Sequence, residues 1–263
     1  MRDATPAGGP ADGRPAEVRA MRPGAFAGRT VLVTGGTRGI GRVLCEALAA
    51  RGARVAFTGR DPAAIADTGA ALRALGPEPV AIALDLETLD AAAPLAALLR
   101  ERIGRLDALV LNAAIGGVRT PIVEQPEAEW RRLFQVNVHA SRVLLAAAHP
   151  LLAASDAGRV VCVSTGVARR RKAGTGAYAV SKAAFDMMAG LYALDVAGTA
   201  IGCTIVNPGP TRTAMRAAAF PAEDPMTLKP PEALLPLLLW LCAPECDLNG
   251  ETIDADDWLA RRT

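Results

Sequence analysis

The most constraining stretch of this 263-residue chain is Thr30-Val-Leu-Val-Thr34, followed at once by Gly35-Gly-Thr-Arg-Gly-Ile-Gly41. The short apolar run predicts a buried strand, and the run from Gly39 to Arg51 predicts a helix. Between them, Gly35, Gly39 and Gly41 permit a tight turn, a close backbone approach to a pyrophosphate, and close packing of helix on strand. The helix N-terminus offers free amide donors and positive potential to an anion. The spacing is T-G-x-x-x-G-x-G rather than G-x-G-x-x-G, and its weight comes from its place directly after a strand and before a helix. Thr37, Arg38 and Ile40 lie in the same loop and join the glycines as candidate nucleotide-binding residues.

The rest of the chain repeats this alternation. Strands are expected at 53–58, 80–84, 107–111, 159–163, 200–206 and 252–254, and helices at 61–75, 88–103, 126–154, around Tyr178, and at 230–242. Asp61 before Pro62 reads as a helix cap. Apolar strands alternating with amphipathic helices imply an α/β fold, a doubly wound Rossmann-like parallel sheet with helices on both faces, in a single domain. Residues 1–25 are rich in Pro, Gly, Ala and charge without hydrophobic period, and are expected to form a disordered leader to a domain at 26–263. Met21 offers a second possible start of translation.

Composition removes several classes. A formal net charge of +2 gives no global field for nucleic acid. The two histidines, His139 and His149, are too few for a histidine-built metal site or a Ser-His-Asp triad, so no metal is expected. Five cysteines without a framework, and no export signal, point to the cytoplasm. No run of about 18 apolar residues exists, so no membrane span is expected.

Tyr178-Ala-Val-Ser-Lys182 falls in a helix-forming run, where positions four apart share a face. A tyrosine pKa near about 10 makes a poor proton donor or acceptor at neutral pH, and a nearby cation lowers it into a useful range. Y-x-x-x-K alone is more often a solvated pair. At the end of the second strand, where an acid would select NAD by holding the ribose hydroxyls, the chain reads Thr58-Gly59-Arg60. Arg60 with Arg38 suits a 2′-phosphate instead, so the expected cofactor is NADP(H), with NAD(H) the lesser option.

With the glycine loop, Asn137 and Tyr178/Lys182 in this order, residues from about 28 to 255 resemble the short-chain dehydrogenase/reductase family, in its single-domain form. The tail TRTAMRAAAFPAEDP…LKPP…PLLLWL is similar to a branch of bacterial oxidoreductases. The resemblance implies that Asp85 and Leu86 hold the adenine and that Asn112 lies in a turn under the cofactor. That turn, Leu111-Asn-Ala-Ala114, carries Leu for the family's first Asn and Ala for its Gly. It further implies that the Asn137 carbonyl holds a water of a proton relay, and that Asn207-Pro208-Gly209-Pro-Thr211 closes over the nicotinamide. Lys182 would bind the nicotinamide ribose beside Tyr178, and 211–229 would form a substrate lid. The family's substrate-binding serine stands thirteen positions before the tyrosine, where this chain has Thr165; Ser164 is the neighbouring alternative. Consecutive strand residues face opposite ways, so only one of the two can serve.

The expected activity is interconversion of a carbonyl and an alcohol by hydride transfer, with Asn137, Thr165, Tyr178 and Lys182 as the catalytic set. A catalytically silent NADP(H)-binding sensor is the alternative. The expected partners are a small carbonyl or alcohol substrate and, from the resemblance, further copies of the chain as a homodimer or homotetramer. Arg169-Arg-Arg-Lys172, between Thr165 and Tyr178, is either a solvated basic loop or a cationic rim that steers anionic substrates.

Overall fold

A computed structural model of the chain describes residues 19–261. In chain order its elements are β1 (Thr30–Val33), α1 (Gly39–Ala49), β2 (Arg54–Gly59), α2 (Pro62–Leu75), β3 (Val80–Ala83), α3 (Ala92–Arg102), β4 (Ala108–Leu111), α4 (Glu127–Phe134), α5 (Ala140–Ala153) and β5 (Gly158–Val163). They continue with α6 (Gly176–Asp195), β6 (Ile201–Asn207), α7 (Ala214–Ala219), α8 (Leu235–Cys242), β7 (Thr252–Asp254) and α9 (Ala255–Ala260). The seven strands form one sheet in the order β3-β2-β1-β4-β5-β6-β7. Every pairing is parallel.

Alternation within each strand sends side chains to two cores. Val31, Val33 and Phe57 pack with α1, α2 and α8 on one face, while Leu32, Leu109 and Cys162 pack with α3, α5 and α6 on the other. A sheet covered on both faces requires the continuous apolar strands that the sequence has. Chain order reverses between β1 and β4, and in open α/β sheets the crevice at such a switch point, beyond the strand C-termini, is where ligands bind. The loops following β1, β2, β4, β5 and β6 meet there.

One buried carboxylate joins the opposite edge. Asp107, fully buried at the start of β4, accepts from Thr30 N at 2.9 Å, Ser155 Oγ at 2.7 Å and Arg105 Nε at 3.0 Å. Burial works to raise its pKa, but these hydrogen bonds and the Arg29 guanidinium outweigh it and hold the carboxyl below its usual range.

The Asp61 carboxylate caps α2 by accepting from Ala63 N at 2.9 Å. Three helical expectations need correction. α3 begins at Ala92 rather than Thr88, α8 is preceded by a separate 3₁₀ turn at Pro231–Leu234, and the helix expected at 126–154 is interrupted. The interruption is a π turn over Gln135–His139, which contains Asn137. Of the leader expected at 1–25, residues 1–18 lie outside the described residues. From Arg19 the chain is placed against the domain: Ala20 is buried, Met21 packs on the α1 side of the sheet, and the Met21 carbonyl accepts from Arg51 Nε at 3.1 Å. No helix among the described residues is long and apolar enough to cross a membrane.

Candidate active site

The glycine loop is held open by its own geometry. Gly35 and Gly39 have φ of 65° and 54°, in the left-handed region that side chains with a Cβ rarely enter. A β carbon on Gly41 would run into the Gly35 carbonyl oxygen and stand 2.6 Å from Asn112 Nδ2. Thr34 Oγ1 accepts from the Asn112 and Ala113 amides at 2.9 and 3.0 Å, and Asn112 Nδ2 donates to the Thr34 carbonyl at 2.9 Å. The turn after β4 thereby braces the loop after β1. A backbone cradle that only glycine fills, opening onto a helix N-terminus, fits the pyrophosphate of a dinucleotide.

At the end of β2, Arg60 reaches across the crevice. Its Nη1 donates to Glu87 Oε1 at 3.0 Å, and the same oxygen accepts from Arg132 Nη2 of α4 at 2.9 Å. The Arg132 hydrogen bond is the main cause that holds the Glu87 carboxyl below its usual pKa. Arg38 is exposed at the start of α1. Asp85 Oδ1 accepts from Glu87 N at 3.0 Å and shapes the turn after β3. Gln135 Nε2 ties that turn to the π segment through the Leu86 and Leu89 carbonyls, at 3.1 and 2.8 Å.

The chemistry-bearing side chains lie on α6 and the end of β5. Tyr178, Lys182 and Asp186 recur every four residues and share one face of α6. Burial pushes the Tyr178 phenol pKa up, and the neighbouring Thr165 hydroxyl partly offsets the rise. Ser164 Oγ donates a hydrogen bond to Asp186 Oδ1, eight residues along α6 from Tyr178. The second oxygen, Asp186 Oδ2, is buried without a hydrogen-bond partner.

Lys182 is buried, with Nζ donating to the Val163 carbonyl at 2.8 Å and lying 4.1 Å from the centre of the Phe185 ring. Burial pushes its pKa down to about 8, against the pull of the Asp186 carboxylate. The expected lowering of the tyrosine by the lysine is therefore not what this arrangement gives: the phenol is raised, and Lys182 is not among the groups that shift it.

Asn137, buried in the π turn, joins three elements. Its Oδ1 accepts from Ile115 N at 2.9 Å, while Nδ2 donates to the Ile115 carbonyl at 3.0 Å and to Ser181 Oγ at 3.1 Å. Its own carbonyl accepts from Ser141 Oγ at 3.2 Å. The side chain thus fixes the loop after β4 against the helix that carries Tyr178.

Over the crevice lies the segment after β6. Gly209, at φ 68°, follows Asn207, whose Oδ1 accepts from Gly209 N at 3.1 Å. Thr211 Oγ1 donates to the Gly209 carbonyl at 3.1 Å. Arg212 N donates to the Lys229 carbonyl at 2.9 Å, and a bridge pairs Thr211 with Lys229, so the two ends of the loop from 211 to 229 stand side by side. Inside this loop, α7 rests on the crevice. Thr213 Cγ2 lies 3.5 Å from where a β carbon on Gly39 would stand, and Met215 Cγ lies 3.8 Å from the same point on Gly116.

Asp186, Gln135, Glu87 and Ser181 carry no sequence signal that singles them out. The i, i+4, i+8 spacing from Tyr178 is the available clue to Asp186; the others declare themselves only through contacts between distant loops.

The short chain dehydrogenase family model matches residues 29–224. An uncharacterised oxidoreductase of Escherichia coli K12, YciK, is 39% identical over 232 residues, covering 86% of this chain and 91% of its own. A short-chain dehydrogenase of Shigella flexneri, solved in complex with NADP, superimposes with a TM-score of 0.86 at 37% identity, covering 89% of this chain and 100% of that one. A cyclic-di-GMP-binding biofilm dispersal mediator of E. coli K12 is 34% identical, over 84% of this chain and 92% of its own. The glycine cradle, the Tyr178–Lys182 face and these likenesses agree: the chain belongs to the short-chain dehydrogenase family.

Proposed function

We propose that this chain is an NADP(H)-dependent oxidoreductase that interconverts a carbonyl and an alcohol on a small molecule. The observation that carries this reading is the shared face of Tyr178 and Lys182 on α6, with Thr165 beside the phenol and Ser164 Oγ engaged by Asp186. It sets a proton donor and a second hydroxyl side by side at the strand ends, where one carbonyl oxygen can meet both.

Gly35, Thr37, Gly39, Ile40 and Gly41 would cradle the pyrophosphate, with Asn112 bracing them. Asp85 and Leu86 would border the adenine, and Pro208, Gly209 and Thr211 the nicotinamide. Arg60 would exchange Glu87 for a 2′-phosphate, with Arg38 nearby; the relative solved with NADP supports that choice. When bound, the cofactor supplies a hydride to the carbonyl carbon.

Thr165 would orient the carbonyl oxygen and Tyr178 would protonate it. A phenol with a raised pKa keeps its proton at neutral pH, as a donor in the reducing direction must. Lys182, at about 8, is mostly charged at neutral pH and would bind the nicotinamide ribose beside Tyr178. Asn137 would keep the loop after β4 and α6 in register, so that the reacting groups hold their spacing.

A second reading, a silent nucleotide sensor, is favoured by the likeness to a cyclic-di-GMP-binding protein and by a lysine engaged with Val163 rather than with the tyrosine. NADPH oxidation with a panel of aldehydes, ketones and quinones separates the two. Thr165→Ala should then lower turnover at least tenfold and Ser164→Ala much less. The reverse order refutes the assignment of Thr165, and binding without turnover of any carbonyl supports the sensor.

A further inference from the structure

Three cations from three separate elements converge on one aromatic ring at the mouth of this site. Arg216 of α7 lies 3.7 Å from the centre of the Phe220 ring, Arg119 of the loop after β4 lies 4.5 Å from it, and Lys172 of the loop after β5 lies 5.4 Å from it. The last two loops flank Thr165 and Tyr178, and Phe220 follows α7 in the segment that rests on the crevice.

Three acids of this region are already engaged. Glu223 takes Arg216 through two bonds of 2.6 Å, Asp254 takes Arg169 at 3.1 Å, and Asp256 takes Lys229 at 2.5 Å. Among the described residues, Arg119, Arg170, Lys172 and Arg212 have no carboxylate within ion-pair distance. Cations gathered this closely repel one another, and a ring face offsets that only in part. Beside Phe220, a cavity of about 390 Å³ has Ala217, Pro221, Pro225 and Leu228 in its walls, with Arg212 and the paired Glu223 as its charged residues. The mouth therefore combines an excess of positive charge with a largely apolar wall.

We propose that the substrate is a carbonyl compound with an apolar body and an anionic oxygen-acid group, a carboxylate or a phosphate, and that Arg119 and Lys172 bind that group. This rests on the oxidoreductase reading above. Phe220 holds both cations in place before the anion arrives, so little side-chain freedom is lost on binding. Arg170 adds to the field: its Nη2 lies 2.6 Å from where a β carbon on Gly166, next to Thr165, would stand.

The test compares benzaldehyde, 4-carboxybenzaldehyde and 4-formylphenyl phosphate as substrates with NADPH, in the unmodified protein and in the double variant Arg119→Gln/Lys172→Gln. At low ionic strength, kcat/KM for at least one anionic aldehyde should exceed that for benzaldehyde tenfold or more, and the better of the two identifies the anion. In the double variant that ratio should fall at least tenfold, through KM. Equal kcat/KM for all three aldehydes, or an equal loss on all three in the variant, overturns the proposal and leaves the cations as a clasp on the lid.

Calorimetric titration of 4-(hydroxymethyl)benzoate and of 4-(hydroxymethyl)phenyl phosphate into the protein with NADP⁺ gives a second reading that needs no turnover. If no aldehyde is reduced, the wider carbonyl panel decides the oxidoreductase reading, and the titration still decides the anion site. Binding of either anion that the double variant loses supports the site; no binding of both overturns it.

Discussion

Gly41→Ala tests whether the loop after β1 is a cradle that side chains cannot enter. The added methyl would collide with the Gly35 carbonyl and stand 2.6 Å from Asn112 Nδ2, about 0.8 Å inside ordinary contact. Neither neighbour is a free side-chain end. The Gly35 carbonyl is backbone, and Asn112 Nδ2 holds the Thr34 carbonyl at 2.9 Å. Overpacking of this kind costs about 1–3 kcal/mol, and loss of the Asn112 hydrogen bond adds about 1 kcal/mol. A total near about 3 kcal/mol corresponds to a fall in Tm of about 6–12 °C for a domain of this size. The shifted loop no longer aligns its amides on a pyrophosphate, so Kd for NADPH should rise at least tenfold, or about 1.4 kcal/mol. Thermal denaturation and fluorescence titration with NADPH measure the two effects. Gly69→Ala is the control, since a β carbon there meets only Phe57 Cζ, at 4.0 Å. If Gly41→Ala leaves Kd within twofold and Tm within about 1 °C, the cradle argument is wrong.

Arg60→Ala should weaken NADPH at least tenfold, about 1.4 kcal/mol, and NADH less than twofold, by titration; equal losses would contradict a phosphate contact. The tempting swap Gly59→Asp is a poor substitute, because its β carbon would stand 2.6 Å from Thr37 Cγ2 and 2.9 Å from Ile65 Cγ1. Asp186→Asn removes the carboxylate that holds up the Lys182 pKa, so Lys182 should lose its charge at lower pH than its present value of about 8. The alkaline limb of the kcat–pH profile should then move toward acid, and an unmoved limb would contradict the coupling. Asp107→Ala leaves Thr30 N and Ser155 Oγ without their acceptor and the largely buried Arg29 without its carboxylate, and should cost about 3–5 kcal/mol in urea denaturation, with a loss under about 1 kcal/mol contradicting it. Because the folded pKa of Asp107 is lowered, its stabilisation is present above the unfolded value of about 3.9 and is lost as pH falls through the folded value. The variant should therefore be less sensitive to acid than the parent.

The inner strands are legible in the sequence because each is a short apolar run, with β1, β4 and β6 buried throughout, and the glycine loop because backbone geometry demands its residues. Beyond the end of β5 at Val163, Ser164 meets Asp186 and Thr165 lies beside Tyr178, so contacts with α6 rather than strand alternation distinguish the two. The π turn around Asn137 is not legible, since one extra residue in a helical turn leaves no mark on the 3.6-residue period. Glu87 with Arg60 and Arg132, and Gln135 with Leu86, join segments 27 to 49 positions apart, and no local pattern reports such pairs. Burial also alters the electrostatics expected from spacing: Lys182 finds a backbone carbonyl, and Tyr178 is raised by its surroundings.

The most direct test of the account is Tyr178→Phe, which removes one hydroxyl and leaves the ring. With the best carbonyl from the panel, NADPH oxidation should fall at least a thousandfold while Kd for NADPH stays within about twofold. Turnover that persists within tenfold of the unmodified protein would contradict Tyr178 as the proton donor.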